Sequence, residues 1–155
     1  FSPLSSEAAA NGLLSQLEDA TANGARLLVG GERLDRDGFW VSPAVLVDVT
    51  PAARAYREEL FGPVAMIFRV ESEAEALALA NDTPYGLGAS VYSTDAAQAE
   101  RFGEQLEAGM VGVNSQAPEV SEMPFGGVKR SGYGRELGPL GIDEFVNKRL
   151  FHVVK

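Results

Sequence analysis

A charged and aromatic stretch, "REELFGPV" at residues 57–64, carries the residue types best suited to binding chemistry. Glu58 and Glu59 are adjacent carboxylates, Phe61 follows them, and a Gly-Pro turn leads into an apolar run. A carboxylate accepts hydrogen bonds without donating any, so one such group can take both hydroxyl protons of a cis-diol. The residues alone favour a simpler interpretation, a solvated helix end at Glu58 and Glu59 with Phe61 in the core.

The segment 115–138, "SQAPEVSEMPFGGVKRSGYGRELG", is the richest in glycine and resembles a phosphate-binding loop at first sight. A P-loop needs four residues between its first glycine and Gly-Lys-Ser/Thr, and "GGVKR" at 126–130 lacks that order. The dinucleotide fingerprint G-x-G-x-x-G also fails, because the glycine that follows "GYG" at 132–134 is Gly138, one residue too late. We therefore predict a long loop that uses glycine for tight turns and close backbone approach.

Residue counts exclude several other chemistries. The chain has no cysteine, so it supplies no disulfide, thiolate zinc site or cysteine nucleophile. Its single histidine, His152, lies in an alternating apolar tail, where a structural or surface role is expected and no histidine metal cluster is possible. The net charge of −9 and the scattered basic residues argue against nucleic acid. The absence of a long apolar run or a signal-peptide pattern argues against a membrane and predicts a cytoplasmic location.

Capping residues and apolar spacing predict the helices that must position these segments. The first begins after Ser5 or Ser6 and stops near Gly24. Two more begin at a capping box formed by Ser72 and Glu75 and at Asp95 with Gln98, and the last of them is expected to run to Gly109.

Extended segments alternate with these helices, at residues 25–31, 39–49, 64–70, 88–93 and 110–114. Pro43 interrupts the second segment, so that strand should lie at a sheet edge or break. The segment 64–70 reads as a buried strand by composition. Alternation of strand and helix predicts an α/β fold with a mainly parallel sheet flanked by helices.

Four blocks of the sequence resemble, in order and spacing, signature motifs of the NAD(P)-dependent aldehyde dehydrogenase superfamily. They are "EELFGPV" (58–64), "ANDTPYGLGASVYS" (80–93), "LEAGMVGVN" (106–114) and "PFGGVKRSGYGRELG" (124–138). The last block, with "GIDEFVNKRL" after it, is most similar to bacterial succinate-semialdehyde dehydrogenases. The resemblance implies an oxidoreductase that converts an aldehyde, succinic semialdehyde above all, to the acid with NAD or NADP. It leaves the choice of cofactor and of aldehyde open.

The same resemblance implies roles for individual residues. Glu59 matches the glutamate that holds both hydroxyls of the nicotinamide ribose, Phe61 matches an aromatic residue that packs against that ribose, and Glu58 is taken as structural. Phe125 matches an aromatic residue of the aldehyde tunnel. Ser115 and Ser121 are candidates to bind the distal carboxylate of the substrate, because the loop 114–123 matches the segment that shapes the outer end of the tunnel.

In the family, a cysteine thiolate attacks the aldehyde, hydride passes to the nicotinamide, and a glutamate-activated water releases the acid. The nucleophile, that base and a Rossmann-like domain precede the matched region, so no catalytic residue is expected in this chain. We therefore expect a C-terminal fragment, an interpretation that the start at Phe1 also favours. Residues 1–144 would be the later part of the catalytic domain, and 145–155 an oligomerisation tail whose strand joins a neighbouring subunit in a homodimer or tetramer. The alternative is a non-catalytic module that folds alone and serves binding or oligomerisation.

Overall fold

The computed structural model of the chain describes residues 1–116 and 120–155. The chain divides into two units, residues 1–70 and 71–155. Both units combine helices with short strands, which confirms the α/β class. The described residues contain no helix of sufficient length and apolarity to cross a bilayer.

The first unit begins with helix α1 (Glu7–Ala22), which the sequence predicts correctly. The Ser6 hydroxyl caps it by accepting from the Ala9 amide at 3.1 Å. Its apolar positions are buried against the rest of the unit, namely Ala10, Leu13, Leu17 and Ala20. Gly24, with a φ of 98°, then turns the chain away, a conformation that glycine adopts without steric cost.

Three strands form the sheet of this unit, in the order β1 (Arg26–Val29), β2 (Ala44–Val47) and β3 (Val64–Ile67). The pair β1–β2 is antiparallel and the pair β2–β3 is parallel. Leu46 of β2 is completely buried at the centre of the core that α1 covers.

The extended segment 39–49 breaks at Pro43, which was one of the two outcomes expected there: β2 begins one residue after the proline, so the missing amide falls outside the ladder. The other outcome, an edge position, is not found, because β2 lies in the centre of the sheet. The expectation for the segment 64–70 was wrong. Within this segment Val64–Ile67 form an edge strand, whose residues alternate between half-buried and exposed because only one neighbour covers β3.

The second unit begins with α2 (Glu73–Asn81), capped by the Ser72 hydroxyl, which accepts from the Glu75 amide at 3.2 Å. The Glu75 carboxylate accepts from the amide of Glu71 at 2.8 Å. It thus completes the predicted capping box at the residue before the cap, Ser72, rather than at the cap itself. The remaining elements are β4 (Tyr85–Gly86), β5 (Gly88–Val91), α3 (Ala96–Gly103), β6 (Met110–Val113), β7 (Val128–Lys129) and α4 (Gly138–Asp143).

Helix α3 starts at the predicted cap, since Asp95 accepts from the Gln98 amide at 3.1 Å, but it ends at Gly103 instead of Gly109. The Asn81 side chain explains the early end. Its amide donates to the Gln105 carbonyl, and its oxygen accepts from the Glu107 amide, both at 2.9 Å. These two backbone groups are therefore bonded to α2 rather than to a continuing helix.

The strands of the second unit form two small sheets, the parallel pair β5–β6 and the antiparallel pair β4–β7. The expected single, mainly parallel sheet is thus not found among the described residues, where two strand pairings are parallel and two antiparallel. Residues 147–155 form no strand in this chain, and the whole tail 145–155 is exposed. The predicted oligomerisation strand is not formed here.

Candidate functional site

The residues singled out by the sequence fall in both units. Glu59 and Phe61 lie in residues 1–70, while Ser115, Ser121 and Phe125 lie in residues 71–155.

The segment that carries Glu59 is held at both ends. A short 3-10 helix (Arg54–Tyr56) precedes it, and the Glu58 amide donates to the Arg54 carbonyl at 2.9 Å. At the other end, the Pro63 carbonyl accepts from the amide of Ala44 at 2.9 Å, where β2 and β3 begin to pair. The segment between these anchors therefore has little freedom to shift.

The side chains of this segment point in different directions. Leu60 packs against both buried clusters of the unit. Gly62 passes so close to Leu13 of α1 that a Cβ at this position would overlap the leucine side chain. Phe61, between them, is 81% exposed, so it is not the core residue that the simpler interpretation requires. A large aromatic side chain held at the surface by half-buried neighbours is suited to packing against a ligand.

The two carboxylates differ in their surroundings. Glu58 accepts from Arg54, with Oε1 and Oε2 at 3.2 and 3.1 Å from Nε and Oε2 at 2.9 Å from Nη2. It also accepts from Gln16 Nε2 at 3.0 Å. The hydrogen bonds from Arg54 and then Gln16 lower the pKa of Glu58 below its ordinary value of 4.5. These contacts agree with the structural role expected for Glu58.

Glu59 is exposed, and its backbone carbonyl accepts from Gln16 Nε2 at 3.3 Å. No contact between described residues engages its carboxylate. An exposed carboxylate of this kind can accept from two hydroxyl groups at once.

Phe125 is half-buried, and its backbone is paired with Glu136. The Phe125 amide donates to the Glu136 carbonyl at 2.8 Å, and the Glu136 amide donates to the Phe125 carbonyl at 2.7 Å. Arg135 fastens the following turn, because its Nη1 donates to the carbonyls of Gly127 at 2.8 Å and Gly134 at 2.6 Å. The position of Phe125 is thus set by backbone bonds across the loop.

Glycine in this loop serves the purpose predicted for it. Gly132, Gly134 and Gly138 have φ of 123°, 73° and 56°, in the left-handed region. Gly109, at the start of β6, lies against Gly126 so closely that a Cβ would overlap the Gly126 carbonyl oxygen. The loop interpretation is confirmed, although it contains the short strand β7.

Both candidate serines are exposed. Ser115 follows Asn114, whose φ is 51° and whose Oδ1 accepts from the Ser93 amide at 2.9 Å, just beyond the end of β6. The Ser121 carbonyl accepts from the Gly138 amide at 2.9 Å, so Ser121 lies on the same paired loop as Phe125. The predicted tunnel segment 114–123 also includes residues 117–119, which lie outside the described residues.

The sequence alone does not predict the roles of three further residues that contact these segments. Gln16 and Arg54 hold the Glu58–Glu59 pair, yet nothing in the sequence separates them from other polar residues of exposed helical turns. Lys129 has a φ of 56°. Its ammonium donates to the carbonyls of Asn81 and Thr83, at 2.8 and 3.2 Å, and lies 2.6 Å from the Glu107 carboxylate. The feature that marks Lys129 is a left-handed backbone conformation in a residue other than glycine, and only the structure shows it.

No group of three His, Asp or Glu side chains within residues 1–116 and 120–155 is arranged to hold a metal ion.

Comparison with known proteins identifies the family. The aldehyde dehydrogenase family model matches residues 1–151, which is nearly the whole chain. The chain belongs to the aldehyde dehydrogenase family.

Individual relatives agree with this assignment. The chain is 53% identical over 148 residues to a succinate-semialdehyde dehydrogenase of Deinococcus radiodurans named for NADP(+), a match that covers 96% of this chain and 31% of that protein. It is 46% identical over 145 residues to succinate-semialdehyde dehydrogenase 1 of Mycobacterium tuberculosis, also named for NADP(+), with 94% and 32% covered.

Solved structures of aldehyde dehydrogenases also match the chain. The succinic semialdehyde dehydrogenase of Streptococcus pyogenes in complex with NADP+ matches with a TM-score of 0.92 and 42% identity, over 99% of this chain and 34% of that one. The betaine aldehyde dehydrogenase of Staphylococcus aureus in complex with NAD+ matches with a TM-score of 0.86 and 40% identity, over 92% and 29%. The chain thus spans about a third of the length of the relatives it matches.

Proposed function

We propose that this chain is part of an NAD(P)-dependent aldehyde dehydrogenase that oxidises succinic semialdehyde to the acid. The observation that carries the proposal is the 53% identity, over 96% of the chain, to a succinate-semialdehyde dehydrogenase. The match covers 148 residues of this chain and so spans both candidate segments.

In this proposal the segment around Glu59 binds the nicotinamide end of the cofactor. The Glu59 carboxylate accepts from the two ribose hydroxyls, and the exposed Phe61 ring packs against the sugar. The cofactor, when bound, supplies the hydride acceptor. The relatives include proteins described with NADP(+) and with NAD+, and we leave both cofactors in the proposal.

In the same proposal, the loop around Phe125 binds the aldehyde substrate. Phe125 is proposed to line the path of the substrate with an apolar ring, since aromatic walls orient small substrates while a few polar groups fix their ends. Ser115 and Ser121 are exposed hydroxyls that can donate to the distal carboxylate of succinic semialdehyde.

The nucleophile must come from elsewhere in the protein. The 155 residues contain no cysteine, and the chain spans about a third of its relatives. We therefore propose that the thiolate, the general base and the Rossmann-like domain belong to other parts of the same protein, and that this chain contributes binding residues.

The tail 145–155 is proposed to pair with a neighbouring subunit in a homodimer or tetramer. Its apolar side chains are strongly exposed, with Phe145 at 89% and Leu150 at 91%, and exposed β-prone segments of this kind are normally covered. Removing residues 148–155 from the full-length protein should lower the mass measured by light scattering, and an unchanged mass would contradict the role. The cytoplasmic location stays a prediction.

Two assays test the proposed function. The full-length protein should reduce NAD+ or NADP+ when succinic semialdehyde is added, as an absorbance rise at the reduced-cofactor band. The 155-residue chain, expressed alone, should give no rise, because it has no thiol. Activity of the isolated chain that survives repurification, or a full-length protein inactive on every aldehyde, would overturn the proposal. The latter result would favour the alternative of a non-catalytic binding or oligomerisation module.

A further inference from the structure

The Gln16 side chain on α1 is the link between that helix and the segment that carries Glu59. Its amide Nε2 donates to Glu58 Oε2 at 3.0 Å and to the Glu59 carbonyl at 3.3 Å. A glutamine amide has two N–H donors, so these two bonds use both of them. The residue thus contacts the backbone of Glu59 directly.

The contacts of Gln16 are part of a closed network. Arg54 binds the same Glu58 carboxylate through Nε and Nη2. The backbone amide of Arg54 donates to Asp19 Oδ2 at 2.7 Å, which returns the network to α1. Gln16 and Asp19 are three residues apart and therefore lie on one face of the helix. Glu58 is therefore held from two sides, which fixes the direction of the backbone that continues to Glu59.

Beyond Glu59 the chain is fastened again, by the packing of Leu60 and by the contact of Gly62 with Leu13. Both carboxylates of the pair are exposed, but Gln16 and Arg54 engage that of Glu58. Because Arg54 neutralises Glu58, the Glu59 carboxylate does not stand beside an unpaired like charge. Such an arrangement fixes the backbone and leaves the binding group exposed, which is the condition for preorganised binding.

We propose that Gln16 is a positioning residue, which orients Glu59 toward the nicotinamide ribose through its bonds to Glu58 and to the Glu59 carbonyl. The inference rests on the proposed function, because it gives Gln16 its effect through the ribose contact of Glu59. Gln16 itself touches neither cofactor nor aldehyde in this account.

The test uses the full-length protein and measures the KM for the cofactor, the KM for the aldehyde and the thermal midpoint. Gln16→Met keeps the length of the side chain and removes both donors. The bonds are solvent-exposed hydrogen bonds to a charged and a neutral acceptor, so we expect the cofactor KM to rise about threefold to tenfold. The aldehyde KM should change by less than about twofold, and the thermal midpoint by less than about 2 °C.

Two further variants serve as controls. Gln16→Lys retains donors for both acceptors and should return the cofactor KM close to the unsubstituted value. Glu18→Met changes an exposed residue of the same helix, whose backbone carbonyl rather than its side chain has a partner among the described residues, and should leave all three quantities unchanged.

A double substitution separates positioning from a general structural effect. If Gln16 acts through Glu59, then Gln16→Met added to Glu59→Gln should raise the cofactor KM by less than about a further twofold, because the contact is already lost. Full additivity of the two changes would overturn the proposal. So would a parallel change in both KM values and the midpoint.

The same variants distinguish a failure of the positioning role of Gln16 from a failure of the ribose site at Glu59. If Glu59→Gln raises the cofactor KM and Gln16→Met does not, the positioning role is wrong and the proposed ribose site stands. If Glu59→Gln leaves the cofactor KM unchanged, the proposed ribose site is wrong, and the role of Gln16 falls with it.

Discussion

The segment around Glu59 and the loop around Phe125 present their candidate binding residues by different means. The first is held chiefly by side chains, namely the network of Gln16, Glu58 and Arg54 and the packing of its apolar residues. The second is held chiefly by backbone, through the Phe125–Glu136 pair and the approach of Gly109 to Gly126.

The difference determines which changes each site tolerates. A site held by polar side chains is sensitive to the loss of a donor or a charge. Because these side chains are exposed, their loss should affect binding at the site more than the rest of the fold. A site held by close backbone approach is sensitive to any added carbon atom, because the packed backbone has no space to yield. The predictions below test this contrast in the full-length protein.

The largest effect is expected at the first segment, from Glu59→Gln. Hydrogen bonds to a charged group contribute about 1.5–3 kcal/mol, so the cofactor KM should rise, or kcat should fall, by roughly tenfold to a hundredfold. Glu58→Gln should change either quantity by less than about twofold, since an amide oxygen still accepts from Gln16 and Arg54. Steady-state kinetics of both variants measure this, and equal effects would show that the ribose contact is wrongly assigned.

The next effect concerns the backbone of the second segment. Gly109→Ala places a Cβ on the Gly126 carbonyl oxygen and should reduce the free energy of unfolding by about 1–3 kcal/mol. Gly12→Ala, in the exposed middle of α1 with no atom near the added carbon, should instead stabilise by roughly 0.5–1 kcal/mol. Thermal unfolding gives the sign of each change, and hydrogen exchange should report faster exchange in 120–138 for Gly109→Ala alone. A neutral Gly109→Ala would contradict the account of this loop.

A smaller, selective effect is expected from Phe125→Ala. Loss of an apolar wall of the substrate path should raise the aldehyde KM by roughly tenfold and leave the cofactor KM unchanged. Tyr133→Ala is the matched control, because Tyr133 lies in the same loop and is 100% exposed. If Phe125→Ala alters the cofactor KM as much as the aldehyde KM, the division of labour between the two segments is wrong.

The smallest effect is the pH dependence of the polar network. Arg54 and Gln16 lower the pKa of Glu58, so this carboxylate stabilises the folded state fully above its ordinary value of 4.5. The contribution is lost as pH falls through the lower pKa of the folded state. The thermal midpoint should therefore fall more between pH 6 and pH 3 for the unsubstituted protein than for Glu58→Gln. Identical pH profiles would exclude the contribution.

Local signals predicted the elements of this chain well. Ser6, Ser72 and Asp95 cap helices where their side chains were expected to, because capping depends on residues within one turn. The glycines of the loop 120–138 were likewise assigned to turns and close approach by residue type alone. The resemblance to the family rested on short ordered motifs, and these also lie within local stretches of sequence.

The amino-acid sequence by itself thus determined the helix caps, the approximate strands, the absence of a thiol and the family. The tertiary structure decided which strand became central, where α3 ended and which carboxylate of the pair is held by Gln16 and Arg54. Each of these depends on partners distant in the chain: β2 lies between two others, Asn81 bonds residues 105 and 107, and Gln16 reaches Glu58 across 42 positions. Contacts of that separation are set by the packing of whole elements, which no local pattern of residues encodes.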